Sequence, residues 1–489
     1  MLSKSRFLAG LQCSLRLWHR CYNSELASEG TPAQHAIFSA GHQVGNLATR
    51  LHPGGILIQE DHLHHADAVQ ATQNAINNPR IPTIFEAAFY HDGVKVRADI
   101  LERQADGRWN LIEVKSSTSV KDIHLPDLAV QYHVVRGAGV NVARAGLLHL
   151  NNHYIYDGLH LRLESLFSVH DLTDRVIGLQ NEVRWRIGEL QGVLEGKYPP
   201  EIYPSRHCMS PYLCEFWEHC TAYMPPFWVM KLPGITQDQL DELASTGIED
   251  IGDIPESFPL NSFQEMIREC VINREEYVAP ELETELTEVE FPVHFLDFET
   301  AGAAIPRYAG TRPYQAIPFQ WSDHILLEDG TLKHSSYLCE EDVDSREDFT
   351  ASLLETLGDR GTIFIYTSYE KTIIRKLAEY LPLYEQQLLA TVSRFKDLHA
   401  MIRKGFYHPE FHGSFSLKAV LPALVPSSGY AQLAIQEGTL ASHEYLRMVD
   451  PATSTAEKLR IKENLLAYCA CDTLAMLKIR EELLKRFGR

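Results

Sequence analysis

No stretch of the chain is apolar over membrane-spanning length, and Met1 to Gln12 lacks the hydrophobic core of a secretory leader. The expectation is a cytoplasmic protein with no membrane partner. Positive charge is scarce: 45 Lys and Arg stand against 65 Asp and Glu, a formal net charge of −20. That balance argues against a protein that coats nucleic acid by bulk attraction, although an acidic enzyme can confine its basic groups to one groove. The sequence has no helicase-type phosphate loop, so any unwinding falls to a separate helicase. It has no internal repeat and no low-complexity tract. What is present is ordinary globular composition, 45% hydrophobic and 22% charged over 489 residues, enough for two or three domains with cores of their own. Nine cysteines in a reducing compartment read as ligands or buried thiols rather than disulfides.

Leu111-Ile-Glu113-Val-Lys115 is the stretch around which the first half is organised. As a strand it puts Glu113 and Lys115 on the face of Leu111, with Ile112 and Val114 opposite. A carboxylate beside an ammonium suits phosphodiester hydrolysis, where the acid holds a divalent metal and the lysine orients or activates water; an ion pair on an edge strand is the plainer reading. The strands predicted before it are Thr83 to Tyr90 and Val94 to Arg103. On the latter, Val94, Val96, Ala98 and Ile100 share one face and Asp99 takes the other. A hairpin of this length can set Asp99 beside Glu113, and two converging carboxylates call for a cation. Glu86 is a further acid within reach. One helix is predicted over Ser3 to Tyr22, with Cys13 inside it, and another over Gln34 to Leu51, bearing His42. A helix over Leu125 to Gly137 carries Gln131 and Tyr132.

This order resembles the PD-(D/E)XK nuclease core of the RecB type, over residues 1–225. The resemblance implies that Asp99 and Glu113 bind Mg²⁺ or Mn²⁺, that Lys115 assists the nucleophile, and that Gln131 and Tyr132 sit beside the scissile strand. It implies that His42 is an added metal ligand; a surface histidine remains the alternative. Cys208, Cys214 and Cys220 follow the core in a Cys-x5-Cys-x5-Cys run. With Cys13 before the core, they resemble the iron–sulfur staple of AddB-type and small four-cysteine CRISPR-associated nucleases, which implies a [4Fe–4S] cluster on these four thiols. Zinc is the alternative, with His207 or His219 in place of a thiolate, and Cys21 lies near Cys13.

Residues 226–290 read as a helical linker. Leu232 to Pro255 is expected to form two short helices around Thr246-Gly-Ile248, resembling half of a helix-hairpin-helix. Seven glutamates between Glu275 and Glu290 mark a solvated boundary. In residues 291–489, Val293 to Thr300 is an apolar strand ending in Asp297 and Glu299, two acids on one face and suited to one ion. A helix from Ser368 carries Glu370 in its first turn. A closing helix over Thr455 to Phe487 carries Tyr468 and Asp472 one turn apart. The set resembles DnaQ-type DEDD exonucleases in their Tyr variant, which implies an RNase H-like fold, two metal ions on Asp297, Glu299, Glu370 and Asp472, and water orientation by Tyr468. Glu370 stands where that family carries Asp, and Asp397 is a rival ligand. This half also resembles an uncharacterised bacterial domain associated with RecB-like nucleases. Cys469 and Cys471 read as buried thiols and Lys418 as a solvated lysine.

The expected protein is α/β: a restriction-endonuclease-like domain and an RNase H-like domain joined by a helical segment. The expected function is a metal-dependent nuclease on DNA, on single-stranded ends, in repair, recombination or defence. The alternative keeps one site alive and makes the other half a binding or scaffold module.

Overall fold

The computed structural model describes residues 1–61 and 63–488. It divides into two compact units, Met1–Tyr223 with Ala304–Tyr314, and Met224–Ala303 with Gln315–Arg489. The architecture is mixed α/β, with 19 α-helices and several sheets among the described residues. No described helix is long and apolar enough to cross a membrane.

In the first unit a seven-stranded sheet runs in the order Ile56–Leu57, Thr83–His91, Val94–Arg103, Trp109–Lys115, Val142–Leu150, Phe167–Asp171, with Leu2–Ser3 added parallel to the start of Val94–Arg103. The first hairpin turns on Asp92 and Gly93, both at positive φ, the mirror-image turn that matches strand twist. Apolar clusters cover both faces. Phe7, Leu128, Val134 and Ile187 pack with Val94, Val96, Ala98, Leu101 and Leu111 on one side. Val44, Leu47 and Leu166 pack with Phe85, Ile100 and Ile112 on the other.

That partition corrects the expected alternation, because Ile100 lies on the face opposite Val94, Val96 and Ala98. The slip falls at Asp99, in register with Glu86, which holds a left-handed φ of 56°. A non-glycine residue at that φ in mid-strand is strained. It turns both strands by one position and swings Asp99 onto the face of Leu101 and Leu111. The Trp109–Lys115 strand pairs with Val94–Arg103 only from Trp109 to Ile112, then stays with Val142–Leu150. The sheet therefore forks beside Asp99 and Glu113.

The helix expected over Ser3 to Tyr22 is two, Lys4–Gln12 and Ser14–Tyr22, broken by Cys13 in extended conformation (φ −163°, ψ 125°). Gln12 donates to the carbonyls of His207 and Tyr212, and Arg16 and Arg20 pair with Glu215. The break is where the first helices meet the later cysteine segment.

The second unit holds a five-stranded sheet in the order Leu332–Leu338, Ile317–Leu326, Val293–Ala301, Ile363–Ile365, Phe395–Asp397. The first three are antiparallel neighbours and the last three parallel. Leu296 and Phe298 enter a core with Phe349, Leu353, Ile373 and Leu377. By alternation Asp297 and Glu299 face the other way, toward the Thr455–Lys485 helix. The segment expected to link two domains belongs to this unit. Within Glu275 to Glu290, Tyr277–Val278 pairs with Phe406–Tyr407, and Leu282 and Leu286 are buried. Two leucines four apart suffice to seat a short helix whose other face is glutamate. Upstream, one helix, Gln237–Ser245, with Leu240 and Leu243 buried, is followed by a 3₁₀ turn at Ile251–Asp253 in place of the second helix.

Candidate functional site

At the fork of the first sheet, Asp99 accepts the Val114 N–H through Oδ2 at 2.7 Å. Glu113, 2% exposed, takes Lys4 Nζ (3.0 Å) and Lys115 Nζ (2.7 Å) on Oε1 and Gln131 Nε2 (2.7 Å) on Oε2. Lys115 also donates to Asp127 Oδ2 at 2.6 Å, and Gln131 to Asp127 Oδ1 at 2.9 Å. Three sequence candidates, Glu113, Lys115 and Gln131, thus share one hydrogen-bond network, and Asp99 stands beside it, linked to Glu113 and Lys4 by charge. Burial works against the Glu113 charge, but Lys4 and Lys115 hold its carboxyl well below the usual range. Asp99 goes the other way, pushed up by burial and by the Glu113 charge. Burial opposes the Lys115 charge too, and Glu113 and Asp127 more than restore it. Lys115 is therefore a held cation that can position or donate, not a base.

Two candidates do not join. Tyr132 lies one residue, about 100° of helix, from Gln131; its ring enters the apolar core and its OH accepts from Arg136. His42 is exposed on the Pro32–Thr49 helix, and among the described residues no hydrogen bond ties it to the network. Glu86 pairs with Arg97 at 3.1 Å. Lys4 and Asp127 are the members sequence reading missed. Asp127 was legible as the residue one turn before Gln131 on the same helix face; Lys4, 109 residues from Glu113, had no signal.

Of the cysteines, Cys208, Cys214 and Phe216 form a small buried cluster with Cys220 against it. Burial first, then the charges of Cys214, Cys208 and Cys13, pushes the Cys220 thiol up to about 11. Cys21 instead packs against the main core. Among the described residues no three of the four thiols lie within 4.8 Å of one another, whereas a zinc tetrahedron with 2.3 Å bonds needs sulfurs about 3.8 Å apart.

In the second unit the acids face one another with little to neutralise them. Asp297, Glu299 and Cys469 offer ligand atoms all within 4.8 Å. Glu370 hydrogen-bonds Asp297, and its Oε2 is buried without a partner among the described residues. Asp472 accepts from Tyr430 OH at 2.5 Å and bonds Tyr468. Burial, then the Asp472, Glu299 and Glu370 charges, pushes Asp297 well above the carboxylate range. Burial does the same to Glu299, with Asp472 adding to it. Burial carries Glu370 to about 8 and Asp472 to about 6. The extra methylene of Glu370 has not taken its carboxyl out of reach. Asp397, the rival, accepts Ala400 N–H at 2.9 Å as a helix cap. Tyr430 was not anticipated, and Cys469, read only as a buried thiol, borders the acids at 3.4 Å from Asp297 Oδ2. Lys418 is exposed, 5.6 Å from the rings of Tyr430 and Tyr468, and lowers the cost of charge on Glu299 and Asp472.

These shifts set a pH dependence. An acid whose folded pKa is raised binds its proton more tightly folded than unfolded, so stability falls as pH rises between the two values. For Glu370 that window runs from 4.5 to about 8. Melting of the metal-free protein is expected to decline across it, and Glu370→Gln is expected to flatten the decline. Calorimetry at pH 5, 6, 7 and 8 checks this; parallel slopes for the two proteins would count against it.

A family model described as a domain of unknown function (DUF2779) matches residues 294–416. The match covers the strand bearing Asp297 and Glu299 and the helix bearing Glu370, and stops short of Tyr430, Tyr468 and Asp472. No curated protein matches the chain.

Proposed function

We propose that the chain is a metal-dependent nuclease acting on DNA, with single-stranded ends as substrate and one acid site in each unit. The reading takes the first unit as RecB-like PD-(D/E)XK and the second as a DnaQ-like, RNase H-fold exonuclease. One observation carries it: Asp297, Glu299, Glu370 and Asp472 converge, Asp297 half-buried and the other three buried, and all four are raised above the usual carboxylate range, by burial first and, for Asp297, Glu299 and Glu370, by neighbouring acid charges as well. Carboxylates so placed fit hard divalent cations such as Mg²⁺ or Mn²⁺. A bound ion supplies an activated water and charge neutralisation at the phosphate. The chain's own residues do the rest. Tyr468 and Tyr430 fix the Asp472 carboxylate, and Lys418 at the rim attracts the phosphodiester backbone. In the first unit, Asp99 and Glu113 offer the same chemistry, with Lys115 held charged to orient water or stabilise the phosphate, and Gln131 to fix Glu113.

A second reading, with only the second site alive, draws on Lys4: both Glu113 oxygens are already taken by Lys4, Lys115 and Gln131, so a cation there must displace a lysine. The test is Mn²⁺-dependent digestion of 5′- and 3′-labelled single strands by the full chain, Lys115→Met and Asp297→Asn. Two sites predict that each variant loses a different set of products; one live site predicts no change with Lys115→Met; unaltered digestion by both refutes the assignment.

For the cysteines the reading is a [4Fe–4S] cluster on Cys13, Cys208, Cys214 and Cys220, supported by the buried Cys208 and Cys214 with Cys220 packed against them and Cys13 close enough to act on its thiol. It would pin the helix break at Cys13 to the end of the unit. Protein purified without oxygen is expected to contain about four iron and four sulfide per chain, and Cys220→Ser to lose both together with thermal stability. Zinc without sulfide would contradict it.

A further inference from the structure

We propose that Cys469 makes the acid cluster of the second unit a capture site for thiophilic divalent cations, Zn²⁺ and Cd²⁺, with Asp297 and Glu299 as co-ligands. The inference rests on the reading of that cluster as a cation site and adds the class of ion that would occupy it in competition. Cys469 is fully buried, on the face of the Thr455–Lys485 helix that meets the Val293–Ala301 strand. Its Sγ lies 3.4 Å from Asp297 Oδ2, and the three donors are mutually within 4.8 Å. The second pointer to a ligand is Glu370, 4% exposed, joined to Asp297 and keeping an unpartnered Oε2 at the same place.

Hard and soft ions would use this constellation differently. Mg²⁺ and Mn²⁺ take oxygen donors, so Cys469 stays a protonated thiol that donates to Asp297. Zn²⁺ and Cd²⁺ form a metal–sulfur bond: the S–H proton leaves to solvent, the thiolate pair of electrons goes to the metal, and Asp297 and Glu299 complete three protein ligands, the number that leaves a fourth position open to water. A thiolate among buried carboxylates has no support except such an ion. Cys469 is thus a specificity-determining residue: Zn²⁺ and Cd²⁺ share the site with Mn²⁺ and are displaced from it only by Mn²⁺ in large excess.

The probe is Cd²⁺, titrated into the full chain and into Cys469→Ser and followed by sulfur-to-cadmium absorption in the ultraviolet. The other eight cysteines are present in both proteins and cancel in the difference. The wild type is expected to show one extra saturable transition that excess Mn²⁺ bleaches. Cys469→Ser is expected to bind Cd²⁺ at this site at least about tenfold more weakly while Mn²⁺ affinity changes less than about threefold. Identical cadmium isotherms, or a transition that Mn²⁺ does not reverse, overturn the proposal. The Mn²⁺ competition uses unmodified protein, so a variant that does not fold leaves the test intact. Mn²⁺ binding that disappears in Asp297→Asn, without a Cys469-dependent cadmium signal, sinks this inference alone. Absence of Mn²⁺ binding sinks the cation-site reading and this inference with it.

Discussion

Replacing Asp297 with Asn is expected to raise the melting temperature of the metal-free protein and, in the same variant, to abolish Mn²⁺-dependent cleavage by the second unit. The two effects have one cause. Asp297 sits where the Asp472, Glu299 and Glu370 charges meet, and burial with those charges pushes its carboxyl far up. Each acid in such a set is held against both desolvation and repulsion. The amide keeps the shape and removes one charge. Relief of about 1–2 kcal/mol would raise melting by about 2–8 °C for a domain of this size. On the proposed function the same carboxylate holds the cation, so cleavage is expected to fall about 10³-fold or more. Calorimetry of chelated protein with an end-label assay reads both. A variant that is both less stable and inactive would mean the acids are structural, satisfied by partners such as Cys469 and Tyr430.

Lys115→Met is the second large effect, and its sign on stability is opposite. Lys115 holds Glu113 at 2.7 Å and Asp127 at 2.6 Å. Without it, two buried carboxylates share Lys4, at 3.0 and 3.5 Å. Removing one partner from a buried ionic network costs about 3–5 kcal/mol. The first unit is therefore expected to unfold at lower denaturant, and its cleavage to be lost. Lys115→Arg separates the two roles: the charge returns and most of the stability with it, while the fork-shaped guanidinium cannot reproduce a point ammonium beside the nucleophile. Denaturation curves and single-strand digestion in the Asp297→Asn background, where the second unit is silent, measure both. Equal stability in Lys115→Met and the parent would contradict the network's geometry.

How far the fold was legible follows from where its signals are local. The Asp92-Gly93 turn, the alternating strands on either side and the 31-residue closing helix carry their own periodicities, and the structure has them close to the expected bounds. Asp297 and Glu299 were readable as one face of a strand, and Tyr468 with Asp472 as one face of a helix, because two-residue and four-residue spacings are fixed by backbone geometry. The slip at Asp99 was not readable. It depends on Glu86 taking a left-handed φ on the neighbouring strand, which no spacing in the Asp99 segment encodes. The helix break at Cys13 was hidden because propensity runs unbroken from Lys4 to Tyr22; contacts some 200 residues away decide it. Lys4 and Tyr430 reached their acids by tertiary packing alone. The glutamate-rich stretch before Val293 misled for a different reason: Leu282 and Leu286 anchor it, and two buried leucines outweigh a composition that reads as solvated.

The most direct measurement is an anomalous difference map from crystals of the full chain grown with Mn²⁺. The account predicts peaks within coordination distance of Asp297, Glu299 and Asp472 in the second unit and of Asp99 and Glu113 in the first, the latter with Lys4 withdrawn from Glu113. A map with Mn²⁺ at neither cluster, and the lysines still on Glu113, would contradict it.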